Sequence, residues 1–499
     1  MKRLEIKPTQ DNRPRPSRAL MRPTLWSVLG IVASSFCGCA LHKPPTHAGI
    51  INQALPAVGA LPPTWNATPD TANISNDWVR SFHDSGLEAV VQEAIANNLN
   101  LRQAAAQVEA ARQSVAVVGS KLKPQIGANF AGATTRSSHA TSTELSQTNM
   151  EYGGASWEID VWGRLRSQRA ATQENYEAIA LDYAFARQSL AATTAKSWYL
   201  AIETRQLLTL TEQSVTIYTQ LLELVKVRRA AGKVANLDVA EASYELNEAQ
   251  SQLANAQGLY SEARRTLEVL IGRYPAAELG VAESFAPLPP PVAAGVPSSL
   301  LERRPDIVAA EHQVFAAYHT RQAAKLALLP SFSFDLEGGR LSDQLFSVLG
   351  LNPWLIHSAV GMFVPIYQGG ELRAQIKIAT AQQEQSIAYF GGVALNAFDE
   401  VEVALTNERL FAQRLPLTQG AVNDHREAVQ VATLRYQSGK MDFLSVLQLQ
   451  EGQIQSEAAL IQLRNAQLAN RINLHLALGG SFDSSAAGMS PATATGKIP

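Results

Sequence analysis

A chain of 499 residues with 46% apolar and 17% charged side chains has enough to bury, which excludes disorder as its overall state. The formal net charge of −2 leaves no electrostatic footprint for nucleic acid. Its two cysteines, Cys37 and Cys39, both lie near the N-terminus, so the rest has neither a disulfide framework nor a thiolate metal site.

Residues 1–22 carry seven basic groups (Lys2, Arg3, Lys7, Arg13, Arg15, Arg18 and Arg22) against Glu5 and Asp11. An apolar run from Thr24 to Phe36 follows, then Phe36-Cys37-Gly38-Cys39-Ala40. This is the pattern of a signal segment, and its 13-residue apolar run is too short to span a bilayer. A small residue before a cysteine resembles the lipobox of bacterial lipoproteins. That implies a cut after residue 38 and Cys39 as the lipid attachment site; signal cleavage without a lipid is the alternative. Cys37 is the poorer candidate because bulky Phe36 precedes it.

Residues 39–75 hold Pro44-Pro45 and Pro62-Pro63 among Ala, Thr and Asn and are expected to form an extended tether. Helix is predicted from Trp78 to about Gly119, with Leu87, Val90, Val91, Ala94 and Ile95 near helical spacing. At Pro124 the period changes. Ile126, Ala128 and Phe130 alternate with polar residues or Gly, and so do Trp157, Ile159 and Val161. These are predicted strands of about ten residues, the length of a tilted membrane strand. The Ser/Thr-rich stretch Thr134 to Thr148 is expected to be a loop.

After Gly163, the 68 residues Arg164 to Ala231 contain no Gly or Pro, which predicts one continuous helix roughly 100 Å long at about 1.5 Å per residue. Leu207, Leu210, Ser214, Ile217, Leu221 and Leu224 make a coiled-coil-like seam along it. A second helix is predicted over Lys233 to Ile271, and Gly272 to Ser299, with Pro289-Pro290-Pro291, must cross the waist of the molecule.

The programme then repeats. Helix is predicted from Leu300 to Leu329 and a strand from Pro330 with Phe332, Phe334 and Leu336. A loop over Gly338 to Pro353, a strand to Tyr367 and a helix after Gly369-Gly370 follow. Glu371 to Ser438 contains Gly391-Gly392 and Pro416, where a kink is expected. Pro124 and Pro330 differ by 206; Gly163 and Gly370, Gly232 and Gly439, and Gly272 and Gly479 each differ by 207. A near-constant offset across four landmarks marks an internal duplication. The organisation is therefore 1–38 signal peptide, 39–75 tether, 76–272 first repeat, 273–299 linker, 300–480 second repeat and 481–499 disordered tail.

Four strands cannot close a barrel, and lipid does not tolerate an open sheet edge. Closure needs several chains. Three give twelve strands and a water-filled bore, whereas the eight strands of a dimer would fill their own interior.

No nucleophile elbow, phosphate-binding Gly loop or zinc motif occurs, which argues against an enzyme. Glu311-His312 and His319 share a predicted helix and are expected to be packing or surface residues, not metal ligands. Six scattered methionines form no thioether cluster. Arg136, His139, Arg340 and Asp343 are expected to be solvated loop charges, and Trp157, Trp162 and Tyr367 either an interfacial girdle or strand packing.

Three stretches carry a family resemblance: Leu301-Glu302-Arg303-Arg304-Pro305-Asp306 leading into Ala310-Glu311, Trp157-Glu158-Ile159-Asp160-Val161-Trp162-Gly163, and Arg435-Tyr436-Gln437-Ser438-Gly439 followed by Phe443-Leu444-Ser445-Val446-Leu447. In this order they resemble the TolC-like outer-membrane efflux family, in its NodT-type lipoprotein branch, over roughly residues 76 to 480. The resemblance implies a mainly α chain with a transmembrane β-barrel: a homotrimer with twelve strands in the outer membrane and a helical tunnel across the periplasm. It implies an inner-membrane pump and a periplasmic membrane-fusion adaptor as partners, outer-membrane lipid around the barrel, and no cofactor. The helical turns at Gly232-Lys233 and Gly439-Lys440 match the family's adaptor-docking tips, and Asp238 and Tyr436, with Arg435 beside them, match its periplasmic gate. Met441, Ser445 and Gln448 depart from the Arg latch and acidic ring of some relatives. The function implied is a passive exit duct for small toxic compounds or drugs. A protein-secretion duct and a pore-less structural lipoprotein are the alternatives.

Overall fold

A computed structural model describes residues 44–56, 61–68, 76–139, 142–342 and 355–481, all in one compact unit that begins at Pro44. The signal segment, Cys39, most of the second loop and the tail beyond Ser481 lie outside these residues. Ten helices and four strands are described: α1 His47–Ala54, α2 Trp78–Ser81, α3 Ser85–Asn97, α4 Leu99–Ser120, β1 Gln125–His139, β2 Ser142–Ile159, α5 Arg164–Ala230, α6 Asn236–Leu270, α7 Pro297–Arg303, α8 Pro305–Leu326, β3 Ser331–Ser342, β4 Leu355–Phe363, α9 Glu371–Gln437 and α10 Phe443–Ala477.

The breaker-free stretch is one helix, α5, of 67 residues. In its seam Leu210, Ser214 and Leu221 are buried and Leu207, Ile217 and Leu224 half-buried. It packs along α4, α6, α8 and α10. Its duplicate α9 is also 67 residues and runs without interruption through Gly391-Gly392 and Pro416. An internal proline forfeits a backbone hydrogen bond and costs ~3 kcal/mol, yet the expected weak point does not end the helix. The first glycine there has a packing role: a Cβ on Gly391 would stand 2.7 Å from the carbonyl oxygen of Ala54 at the end of α1.

That contact corrects the tether. Within residues 39–75, α1 lies on α9, and Ile50, Leu55 and Trp65 are buried in a cluster with Phe390, Ala394 and Val401. The Trp65 indole donates to the carbonyl of Ala294 at 2.9 Å, and Glu402 accepts from the amides of Asn66 and Ala67. The Pro-rich composition signalled an irregular path, but its few large apolar side chains find a groove in the second repeat.

Two predicted helices are divided. Between α3 and α4, Asn98 is extended; its side chain accepts from Leu101 N and donates to Leu270 O, so it caps one helix and ties down another. Between α7 and α8, Pro305 excludes helical geometry at the preceding residue, and Arg304 adopts φ −77°, ψ 122°. The break buries Arg304 against Asp306 (2.7 Å) and Glu400 (2.5 Å), with its guanidinium 5.6 Å from the Phe185 ring centre.

The strands form one antiparallel sheet in the order β1-β2-β3-β4. The expected loop Thr134–Thr148 is instead mostly hairpin, pairing without slippage from Gln125↔Ser156 to His139↔Ser142. Ser and Thr marked that stretch as polar. Thr also favours extended backbone, and cross-strand bonds satisfy it. The first two strands, at 15 and 18 residues, thus exceed the ten expected.

Candidate channel surfaces: an amphipathic sheet and two helical tips

Alternation along each strand and the register between strands together sort the sheet into two faces. One row joins Ile126, Ala155, Leu336 and Ser358; the next on the same face joins Trp157, Phe334 and Val360; the next joins Ile159, Phe332 and Met362. The opposite face carries Gln125, Ser156 and Asp335 in one row, Glu158 and Ser333 in another, and Glu337 with His357 in a third. The apolar face is bare in the single chain: Ile126 is 85% exposed, Ile356 78% and Val360 75%. Among the described residues β1 and β4 each leave an unpaired edge. A sheet apolar on one side, polar on the other and open at both edges is a segment of a barrel wall. Among the described residues no helix is long and apolar enough to cross a membrane.

The root of β2 is built by the Trp157–Gly163 motif. The Asp160 carboxylate accepts from the amides of Leu165 and Arg166, both at 3.0 Å, so it caps α5 from outside the helix. Both oxygens of Glu158 accept from Arg164. The Trp157 indole donates to Leu122 O and the Trp162 indole to Pro330 O at 2.7 Å, tying the strand roots to both repeats. Both tryptophans are half-buried, while Tyr367 is 87% exposed.

At the far end of the long helices the two turns are built alike. Gly232 and Gly439 adopt φ 64° and 74°, and a Cβ on either would meet nothing within 4 Å, so backbone conformation requires glycine there. In the first turn Gly232 N donates to Arg229 O and Lys233 N to Arg228 O; in the second Gly439 N donates to Tyr436 O and Lys440 N to Arg435 O. Both are Schellman closures. The turn itself uses several residues of the stretch expected to be helical, so α6 has 35 residues instead of the 39 from Lys233 to Ile271, and α10 has 35 as well. Gly232, Lys233, Gly439 and Lys440 are all exposed.

Tyr436 is buried beside the second turn, its ring 5.4 Å from that of Phe443. Among the described residues its hydroxyl has no hydrogen-bond partner, so no Asp238–Tyr436 bond is made in the single chain. Burial pushes the phenol pKa up; the Arg228 charge opposes that and the Asp238 charge adds to it. Asp238 thus acts on Tyr436 through space. Arg435 is exposed. The group that grips this end is Arg228, absent from the sequence reading. It donates to Tyr436 O at 2.7 Å and Gln437 O at 3.1 Å, and its guanidinium lies 4.4 Å from the Tyr436 ring centre. A cation there joins the C-terminal carbonyls of α9 and an aromatic face at once. The 207-residue offset was the signal that could have found it, since Arg228 is the duplicate of Arg435.

This geometry separates two variants. Arg228→Ala is expected to raise uptake of a bulky antibiotic by growing cells several-fold, whereas Tyr436→Phe, which removes only an unbonded hydroxyl, is expected to leave uptake within about twofold of the native protein. A leaky Tyr436→Phe would show that the hydroxyl finds a partner in the assembled protein.

The helical histidines have separate partners. His312 pairs with Glu174 at 2.6 Å and His47 with Glu311 at 2.7 Å, while His319 lies edge-on to Tyr318.

A family model described as "Outer membrane efflux protein" matches residues 90–273 and 296–480, one segment in each half of the duplication. The chain is similar to the toluene efflux pump outer membrane protein TtgC of Pseudomonas putida, 28% identical over 91% of this chain and 96% of that one. It is 30% identical to the pyoverdine export outer membrane protein OpmQ of Pseudomonas aeruginosa over 86% of this chain and 93% of that one. The solved outer-membrane channel OprN superposes with a TM-score of 0.78 at 23% identity, covering 85% of this chain and 97% of that one, a likeness of fold.

Proposed function

The chain belongs to the outer membrane efflux protein family and is an outer-membrane efflux channel reaching into the periplasm, and on that basis we propose a trimeric exit duct for a tripartite pump. The observation that carries the trimer is the open-edged amphipathic sheet: four strands per chain make twelve in three copies, enough for a water-filled bore. The duct does no chemistry and couples no energy, so an inner-membrane pump supplies the work and a periplasmic membrane-fusion adaptor joins the two. Gly232-Lys233 and Gly439-Lys440 are the adaptor-docking tips, and Asp238, Arg435 and Tyr436, joined by Arg228, form the periplasmic gate. Cys39 is the lipid attachment site of a NodT-type lipoprotein. The cargo is small toxic compounds. The relatives' names cover toluene and pyoverdine, so the shared channel scaffold does not choose the substrate; the pump does.

A photo-crosslinker at Lys440 tests the docking claim in growing cells. Capture of a periplasmic adaptor is the expected outcome. Capture of neighbouring lipoproteins alone, with no adaptor, would favour a structural role without a pump.

A further inference from the structure

The duplication supplies a template for a contact that a single chain cannot complete. At the 207-residue offset Arg228, Arg229 and Ala230 correspond to Arg435, Tyr436 and Gln437. Arg228 uses its guanidinium on the carbonyls of Tyr436 and Gln437 and on the Tyr436 ring. Its duplicate Arg435 is exposed, and among the described residues its side chain makes no hydrogen bond or ion pair. We propose that Arg435 makes towards a second copy of the chain the contact that Arg228 makes within it, donating to the main-chain carbonyls of Arg229 of the partner subunit and Ala230 of the partner subunit.

The inference rests on the ring of three chains proposed above. In such a ring, six helical hairpins meet at two kinds of seam. Within a chain, α5 of the first hairpin packs on α10 of the second. The repeat then places α9 against the first hairpin of the next chain. The acceptors match as well: Arg229 O accepts from Gly232 N as Tyr436 O accepts from Gly439 N, at the same point of the same closure. Each carbonyl keeps a second lone pair for an incoming cation. One part of the template is changed. Where Arg228 finds an aromatic face, Arg435 finds the partner subunit's Arg229. The seam between chains keeps the carbonyl bonds, loses the cation–π platform and gains a like charge, so it is the weaker seam and the one that yields first when the tip opens.

The test repairs that seam. Arg229→Tyr completes the template and is expected to lower antibiotic uptake and single-channel conductance of the full-length protein by roughly two- to fivefold, the worth of an exposed cation–π contact. The gain should vanish in Arg229→Tyr/Arg435→Ala. A trimer by native mass spectrometry in which Arg229→Tyr tightens nothing, or tightens equally without Arg435, would overturn the contact while leaving the ring intact. No trimer at all would overturn the ring and the contact with it.

Discussion

Replacing Arg471 with methionine should destabilise each chain by about 3–5 kcal/mol, the cost of breaking a buried, hydrogen-bonded ion pair by removing one partner. Arg471 lies on α10 and is 1% exposed. It pairs with Glu408 on α9 and donates to Pro289 O at 2.6 Å and to Pro290 O. One side chain thus fixes the Pro-rich crossing between the repeats to both helices of the second hairpin. Prolines contribute no amide donors, and their carbonyls here have no nearby ladder to join, so an arginine with its planar fork is suited to meet them. Methionine would preserve much of the apolar stem but would orphan two carbonyls and leave the Glu408 carboxylate with the Asn470 amide in place of a cation. Denaturant unfolding of the purified protein measures the loss. Adding Glu408→Leu separates the two causes. If the orphaned charge dominates, the double variant recovers most of the stability; if the prolyl carbonyls dominate, it recovers little. A loss below about 1 kcal/mol for Arg471→Met would refute the anchoring role.

None of the acceptors of Arg471 is local, and that explains which parts of the molecule were legible in its sequence. The long helices were legible because the absence of Gly and Pro over one stretch is a local statement about backbone freedom. The tips were legible because glycine at a Schellman position answers a local need for positive φ, repeated at a fixed offset. The two faces of the sheet followed from alternation. The Arg304 break was also written locally, in Pro305, although the family motif drew attention to the residue types instead of their backbone consequence. By contrast, Trp65 in a Pro-rich stretch gives no sign that Ala294 will accept its indole. Arg228 drew no notice because its partners are main-chain carbonyls of the other repeat, which carry no sequence signature of their own.

His475 illustrates the same limit and contributes to the acid response of the fold. It is buried in the last turn of α10, stacked on Trp78 with ring centres 5.8 Å apart and planes inclined by 17°, and its Nδ1 has no hydrogen-bond partner. Burial first, and then the neighbouring Arg471 charge, hold its imidazole down at about 3, from 6.5. Above pH 6.5 both folded and unfolded states hold it neutral, and its contribution to stability is complete. Below 6.5 the unfolded chain takes up a proton that the folded chain refuses, so stability falls by up to 1.36 kcal/mol per pH unit towards pH 3. By pH 4 the loss should be about 3 kcal/mol per chain. His312 runs the other way: the Glu174 hydrogen bond raises its pKa, so its contribution is full below 6.5 and is lost as pH rises through the raised value. It therefore cannot cause an acid loss in this window. His475→Phe keeps an aromatic ring against Trp78 and removes the titration. Thermal unfolding midpoints of the two proteins, measured from pH 7.5 to 4, should diverge below 6.5, with the variant falling more slowly. Parallel curves would mean that the buried imidazole admits its proton with water or a structural adjustment to solvate it, and would remove His475 from the acid response.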